Sequence, residues 1–203
     1  MILTVLTGDI VNSTDLKTEE LEQAFLALNR ATAEIAEWQQ SDARLTRYRG
    51  DGWQFVLTKP RFALRAALKT MAAIQSISER HSTRVAVATG TGHYGEDASL
   101  ASAGGDAFIA SGRALDDMDP QVLLVSSAGG REAALYRLAD YIAQGWTPAQ
   151  SRAIEPMLAP NPPTHAAVAE KLGISRQAVG KALEGASYGA IDHSLRYLEA
   201  EYD

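Results

Sequence analysis

Ile2-Leu3-Thr4-Val5-Leu6, followed by Thr7-Gly8-Asp9, is the stretch of sequence that decides the fold. A short β-branched and aliphatic run that stops at such a pair of turn residues predicts a buried strand leading into a loop. Residues 18–40 then carry apolar side chains at helical spacing, and Thr18 and Glu20 suit a helix N-terminus, so we expect a long amphipathic helix. A strand followed by a helix points to an α/β fold.

The next hundred residues continue this alternation with a hairpin inside it. Residues 45–48 and 53–57 flank Gly50-Asp51-Gly52, and an Asp-Gly pair is typical of a tight β-hairpin turn. Further helices are expected over 61–80 and 106–118 and strands over 83–89 and 122–126, with 131–142 either a helix or another strand. This order predicts an α/β sandwich of mixed strand direction, related to the ferredoxin-like β-α-β-β-α-β plan.

The sequence after Gly145 is helical in pattern and punctuated by proline. Thr147-Pro148 predicts the start of a helix that runs to about Leu158, and Pro160, Pro162 and Pro163 predict a stiff link. No strand is expected after Trp146. We therefore expect two domains, an α/β domain over 1–145 and a small all-α domain over 146–203.

Composition excludes several classes of protein. The chain has no cysteine, which excludes disulfides, thiolate zinc sites and a cysteine nucleophile. It has no run of about 18 apolar residues and no secretory signal, so we expect a cytoplasmic protein without a membrane partner. The formal net charge is −6, and neither half is basic, with 14 basic and 18 acidic residues before Trp146 and 5 and 7 from there on. This balance argues against non-specific coating of nucleic acid but leaves room for a local basic face.

Two aspartates stand where predicted strands end, Asp9 after the first strand and Asp51 at the hairpin turn. Adjacent central strands would bring them together as oxygen ligands for Mg²⁺ or Mn²⁺. Behind Asp9, the backbone of Ile10-Val11-Asn12-Ser13-Thr14 leads into the long helix and could cradle phosphates. From spacing alone, an ordinary cap and an ordinary turn residue are an equally good interpretation.

Four motifs in the first domain resemble class III adenylate and guanylate cyclases. Gly8-Asp9-Ile10-Val11-Asn12-Ser13-Thr14-Asp15-Leu16 resembles the family's D-I-x-x-S-T-x-L start, and Arg49-Gly50-Asp51-Gly52 resembles its hairpin. Residues 84–90 resemble its R-V-G-I-H-T-G strand. Gly105-Asp106 with Arg113-Ala114-Leu115 resembles its G-D-x-V-N-x-A-S-R-L segment. The four occur in the family's order and cover about residues 1–118.

The resemblance implies a homodimer packed head to tail, with two metals on Asp9 and Asp51 of one copy and Arg113 of the other stabilising the transition state. The implied reaction is attack of a ribose 3′-oxygen on the α-phosphate of a nucleoside triphosphate. Three positions depart from the family, with Ile109 in place of the transition-state Asn, Arg47 in place of the purine-selecting Lys and Ser102 in place of a purine-contacting Asp. The small cyclase-like domain with a C-terminal helix-turn-helix also resembles the SatD family.

The second domain contains a helix-turn-helix pattern. Residues 164–172 are followed by Gly173-Ile174 and by a second helical run that starts at Ser175, a good N-cap. The run Leu172-Gly173-Ile174-Ser175-Arg176-Gln177-Ala178-Val179 resembles recognition helices of bacterial regulators. Candidate DNA contacts are Ser175, Arg176, Gln177 and Lys181, since Gln177 can bond adenine and Arg176 guanine or phosphate. A helical bundle used for dimerisation or protein binding is the alternative.

Three functions are consistent with these patterns. The preferred one is a homodimeric transcriptional regulator that binds DNA and whose cyclase-like domain binds a nucleoside triphosphate or cyclic nucleotide, or serves only as a dimerisation scaffold. The second is an active nucleotidyl cyclase, acting on ATP or GTP, with a regulatory helical tail. The third is an interaction protein that binds neither ligand. Ile109 favours the first over the second, and Arg176, Gln177 and Lys181 favour the first over the third.

Overall fold

The computed structural model describes residues 1–41, 44–48, 50–95, 100 and 102–202. Over these residues the chain forms five strands and eight α-helices, and the predicted mixed α/β class is confirmed. The strands are β1 (Ile2–Ile10), β2 (Leu45–Tyr48), β3 (Gly52–Leu57), β4 (Thr83–Thr91) and β5 (Leu124–Ser126). The helices are α1 (Thr18–Gln39), α2 (Ala63–Gln75), α3 (Asp106–Asp116), α4 (Gly130–Gln144), α5 (Pro148–Met157), α6 (His165–Leu172), α7 (Arg176–Gly185) and α8 (Tyr188–Ala200). Among the described residues, no helix combines the length and the apolar character needed to cross a bilayer.

The strands form one sheet in the order β2-β3-β1-β4-β5. The central strand, β1, is antiparallel to both β3 and β4, and β5 is parallel to β4. The first four strands with α1 and α2 therefore follow the predicted β-α-β-β-α-β plan. The two edge strands, β2 and β5, are the shortest, with four and three residues.

Side chains of β1 alternate between the two faces of the sheet. Leu6 and Ile10 belong to the apolar core shared with α1 and α2, whereas Leu3 and Val5 pack on the opposite face with Ala107 of α3. Thr7 lies on this second face, where its hydroxyl bonds Ser111 of α3 at 2.7 Å. The same alternation places Asp9 on the α3 side of the sheet.

Two element boundaries differ most from the expectation, and one open assignment is settled. The strand predicted over residues 2–6 continues to Ile10, because pairing with β4 extends to the partners Ile10 and Thr83. Asp9 therefore lies within the strand rather than in the loop after it, which corrects the prediction. The helix expected over 61–80 begins after a 3-10 turn at Pro60–Phe62 and ends at Gln75. The segment 131–142, left open between helix and strand, is helical.

The C-terminal helices pack on α2, and two basic side chains of α2 reach them. Arg65 donates to Glu199 of α8 at 2.5 and 3.0 Å, and Lys69 donates to Glu155 of α5 at 2.5 Å. One apolar cluster also runs from α2 into α5–α8. The domain boundary between residues 145 and 146 remains a prediction. The described packing joins residues that lie on the two sides of it.

Candidate functional site

The end of β1 and the loop after it line a cavity of about 390 Å³. The lining brings together seven of the residues singled out in the sequence: Asp9, Ile10, Val11, Asn12, Ser13, Thr14 and Asp51. Arg84 and Pro120 complete it. The hairpin reaches this cavity because the backbone N–H of Ile10 donates to the carbonyl of Asp51 at 3.2 Å.

Glycine at position 8 lets the central strand pass its neighbours at this point. A Cβ on Gly8 would lie 2.3 Å from the carbonyl oxygen of Arg84 and 2.4 Å from the ring of Trp53. Real Cβ atoms do not approach other atoms so closely, so a side chain here would separate β1 from β4. The geometry of the adjacent Asp9 therefore depends on a residue without a side chain.

The loop over residues 10–14 differs from the predicted helix entry. A 3-10 turn at Ser13–Asp15 intervenes, and α1 begins only at Thr18, where the Glu20 carboxylate accepts the backbone N–H of Lys17 at 2.8 Å. The loop that the sequence predicts as the phosphate cradle is therefore separate from the N-terminus of α1, where the side chain of Glu20 already accepts a backbone N–H.

Backbone donors remain in the loop itself. The N–H groups of Ile10 and Val11 are bonded to the carbonyls of Asp51 and Ser82. Those of Asn12, Ser13 and Thr14 donate to no other residue in the described ranges. Asn12 is left-handed, with φ 51°. Successive free N–H groups around a left-handed residue form a concave anion-binding nest.

Asp9 is engaged by an arginine of the neighbouring strand. Arg84 lies opposite Asp9 in the β1–β4 register, and both carboxylate oxygens accept from its guanidinium, the Nε–Oδ1 distance being 2.9 Å. The hydrogen bond to Asp9, with the charges of Asp9, Asp51 and Asp116, raises the pKa of Arg84. The negative charge of Asp9 is thus balanced by an arginine of the same chain. Arg84 is the first residue of the strand motif at 84–90, and nothing in that motif alone indicates its pairing with Asp9.

The two aspartates as arranged do not fit a divalent cation. Mg²⁺ and Mn²⁺ need free carboxylate oxygens, but Asp9 is bound by Arg84, and Asp51 accepts the hydroxyl of Ser13 at 2.5 Å. No cluster of three or more acidic or histidine side chains suited to a metal occurs in the part of the chain that the structure describes. The sequence-based assignment of a metal to Asp9 and Asp51 gains no support from this geometry.

The residues predicted to contact the base and the transition state lie outside the cavity lining. Arg47 binds Glu22 and the carbonyl of Gly50, both at 2.6 Å, and its guanidinium stacks on Phe25. This set of contacts holds the hairpin against α1. Ser102 and Arg113 are exposed. Within one chain, the phosphate-binding and base-binding parts of the predicted site are therefore not assembled. Arg49 of the hairpin motif lies outside the described residues.

The C-terminal helices form the predicted turn between two capped helices. Thr164 caps α6 and Ser175 caps α7, each hydroxyl accepting a backbone N–H three residues on, at 3.2 and 3.1 Å. Gly173, between them, is left-handed with φ 66°. Val168, Val179 and Leu183 are buried where the two helices meet, whereas Ile174, which the helical pattern also predicts to lie in this small core, is 44% exposed. Each of these features has a local cause in the sequence.

The first two turns of α7 present unpaired polar side chains. Arg176, Gln177 and Lys181 are exposed, and none of them bonds any other residue of the described chain. Ser175 is exposed as well, but its oxygen accepts the capping N–H from Ala178. The four predicted contacts thus lie on one exposed end of α7.

No family model matches the chain, and no curated protein matches it. Among solved structures, the chain is similar to the guanylyl cyclase Cya2, with 15% identity over 64% of this chain and 80% of that chain and a TM-score of 0.45. It is also similar to the catalytic core of a rhodopsin-guanylyl cyclase with converted specificity, in complex with ATPalphaS. That match has 18% identity over 58% of this chain and 73% of that chain, with a TM-score of 0.44.

Proposed function

We propose that this chain is a sequence-specific DNA-binding regulator that reads the major groove with α7. The observation that carries the proposal is the exposed, unpaired set Arg176, Gln177 and Lys181 on the first two turns of a capped helix. In helix-turn-helix proteins the N-terminal residues of the second helix contact base edges. Gln177 would bond adenine and Arg176 guanine, while Lys181 would meet phosphate.

Local charge supports this assignment despite the acidic total. The exposed side chains of α7 up to Lys181 carry two positive charges and no negative one, and Lys171 of α6 is exposed nearby. The first acidic residue of α7 is Glu184, beyond the second turn. With few phosphates neutralised, binding should fall with salt on a shallow slope, and most of the selectivity should come from base contacts.

Selection of genomic fragments with the purified protein, followed by titration of the enriched site, tests the proposal. Arg176→Ala and Gln177→Ala should each weaken the specific site by about 1–3 kcal/mol. Lys181→Ala should weaken all sequences more evenly. Arg30→Ala, which removes an exposed arginine of α1, is the matched control and should leave binding unchanged. The proposal is wrong if no sequence is enriched. It is also wrong if a variant with both Arg176→Ala and Gln177→Ala binds the enriched site as tightly as the wild type does.

A second proposal concerns the cavity at the end of β1, which we assign to the phosphates of a nucleoside triphosphate or cyclic nucleotide. The free N–H groups of Asn12, Ser13 and Thr14 support it, since they have no competing partner among the described residues and could donate to an anion. Arg84 would supply a positive charge to the phosphates if it released the carboxylate of Asp9. Mg²⁺ or Mn²⁺ would bind at Asp9 only after Arg84 had released it.

Turnover of that nucleotide is the less favoured possibility. Ile109 stands where the cyclase resemblance expects the asparagine that positions the ribose, and loss of one such donor lowers turnover by about 10²-fold or more. Calorimetry with ATP, GTP and their cyclic forms should detect binding. Incubation with each triphosphate and Mn²⁺ should yield little cyclic product. Rapid formation of a cyclic nucleotide would instead establish a cyclase with a helical tail.

A further inference from the structure

A second polar cavity, of about 310 Å³, lies where the α/β part of the chain meets the C-terminal helices. Its lining includes Gln75 at the end of α2, Ser82 before β4 and Leu123 before β5. From beyond the predicted domain boundary, Trp146 and Pro148 contribute to it as well. It shares no lining residue with the cavity at the end of β1. We call it the junction cavity.

Two residues that line the junction cavity carry a buried oxygen without a hydrogen-bond partner. Gln75 is 8% exposed, and its amide nitrogen donates to the carbonyl of Ala143 at 3.2 Å. This bond fixes the orientation of the amide and leaves Oε1 with no donor among the described residues. The hydroxyl oxygen of Ser82 is likewise buried and unpartnered there. An unpaired buried polar atom costs about 1–3 kcal/mol, so a ligand that brings hydrogen-bond donors would bind favourably.

The charged and polar groups around these two oxygens also favour donors over acceptors. Among the described residues, no lysine or arginine lines the cavity, and its one carboxylate is the exposed Glu79. Both ring nitrogens of His81 are already bonded, one to the Ser78 hydroxyl at 2.7 Å and the other to the carbonyl of Glu20 at 3.1 Å. An ammonium group would therefore meet acceptors and a negative charge, whereas an anion would meet a carboxylate.

Apolar groups supply the rest of the lining, chiefly Leu123, Trp146 and Pro148. Trp146 is 6% exposed, and its indole N–H donates to the carbonyl of Ala186 at 2.9 Å. The indole therefore offers apolar surface to the cavity but no hydrogen-bond donor. A cavity of about 150 Å³ in another protein holds benzene, so the junction cavity has room for one ring with a short amine chain.

We infer that the junction cavity binds a small organic amine, with the ammonium group at Gln75 and Ser82 and an apolar body against Trp146. The ammonium donates to the two unpartnered oxygens, and the carboxylate of Glu79 balances its charge. The inference goes beyond the proposed DNA binding and does not rest on it. An occupied cavity would nevertheless contact a residue that holds the end of α7, because Trp146 bonds Ala186, the C-cap of that helix.

Heteronuclear NMR of the isotope-labelled chain, titrated with phenethylamine and separately with phenylacetate, tests the inference. The amine should shift the side-chain amide signal of Gln75 and the indole signal of Trp146, and the shifts should saturate in the millimolar range. Phenylacetate carries the same ring and the opposite charge, and it should shift neither signal. The Trp146→Phe variant assigns the indole signal.

Two serine variants show whether the unpartnered oxygen contributes to binding. Ser82→Ala breaks no side-chain hydrogen bond of the described chain, so the fold should be unaffected. It should bind phenethylamine about tenfold more weakly, since one acceptor for the ammonium group is lost. Ser151→Ala is the matched control, because Ser151 also has a buried, unpartnered hydroxyl but lies on α5 outside the cavity lining. This variant should bind the amine as the wild type does.

Three results would overturn the inference. One is that neither probe shifts the two signals, in which case the cavity holds only solvent. Another is that phenylacetate binds as tightly as phenethylamine. The third is that Ser82→Ala binds the amine with unchanged affinity. None of these measurements includes DNA, so failure of the amine site and failure of the proposed DNA binding are separable.

Discussion

Lys69 of α2 and Glu155 of α5 form an ion pair at 2.5 Å in which the lysine side chain is fully buried. The same ammonium lies 2.7 Å from Glu34 of α1. One turn earlier on α2, Arg65 is buried against Glu199 of α8. Burial of charges is costly unless they are paired, so the C-terminal helices and α2 depend on each other for these contacts.

Loss of a buried pairing partner should destabilise the whole chain. We expect Glu155→Ala to lower the free energy of unfolding by about 3–5 kcal/mol, because it leaves Lys69 buried with fewer partners. Arg80→Met removes an exposed pairing with Glu20 and should cost at most about 1 kcal/mol. Urea denaturation followed by circular dichroism measures both. Two separate transitions in the wild type would show instead that the helices unfold independently.

Arg84→Gln should open the carboxylate of Asp9 to a divalent cation. The substitution removes the guanidinium that now binds both oxygens and the positive charge that repels a metal. We expect Mn²⁺ to bind about tenfold more tightly or better than to the wild type, as measured by electron paramagnetic resonance. Adding Asp51→Asn should reverse the gain. An Arg84→Gln variant with unchanged Mn²⁺ affinity would exclude competition between the arginine and a metal.

Two glycines of the helix-turn-helix should respond in opposite ways to alanine. Gly173 is left-handed with φ 66°, so Gly173→Ala should destabilise the fold by about 1–2 kcal/mol. Gly180 lies inside α7 with free space around its Cβ position, so Gly180→Ala should stabilise it by about 0.5–1 kcal/mol. Thermal unfolding of the two variants gives the comparison. Equal effects would contradict the described turn.

Alkaline pH should destabilise the chain partly through Tyr136. Burial, followed by the charge of Glu132, raises the pKa of this phenol well above its ordinary value of 10. Above pH 10 the unfolded chain loses this proton while the folded chain keeps it, so the stabilising contribution is complete below pH 10 and declines as pH rises. Between that pH and the folded pKa, wild-type stability should fall more steeply than that of Tyr136→Phe by about 1.4 kcal/mol per pH unit. Parallel curves would contradict the assignment.

Helices with local signals were predictable from the sequence, and features set by distant neighbours were less so. The predicted helix over 18–40 matches α1 within one residue, because its periodicity and first-turn residues are contained in the segment itself. The predicted end of β1 was wrong because the observed end is set by pairing with β4, some 75 residues away in the sequence. The basic residues Arg65 and Lys69 gave no sign of burial, since their partners lie on helices from the far end of the chain.

The same distinction between local signals and distant neighbours holds for the candidate sites. The caps Thr164 and Ser175 and the turn at Gly173 follow from rules that act within a few residues, and the structure contains them. The meeting of Asp9 and Asp51 in one cavity was predicted from the expectation that their strands are neighbours in the sheet, and β1 does pair with β3. The pairing of Asp9 with Arg84 was not predicted, because it requires the order of strands across the sheet and the register between β1 and β4. The DNA and nucleotide assignments remain proposals.

The shortness of β2 and β5 has a consequence for the behaviour of the chain in concentrated solution. They are the two edges of the sheet, and together they span seven residues. An edge strand recruits another molecule through its free row of N–H and C=O groups, and a row this short offers little to extend. Ordered aggregation through the sheet should therefore be slow in the folded state. Fibril growth, where it occurs, should require prior unfolding of the helices that cover the long central strands.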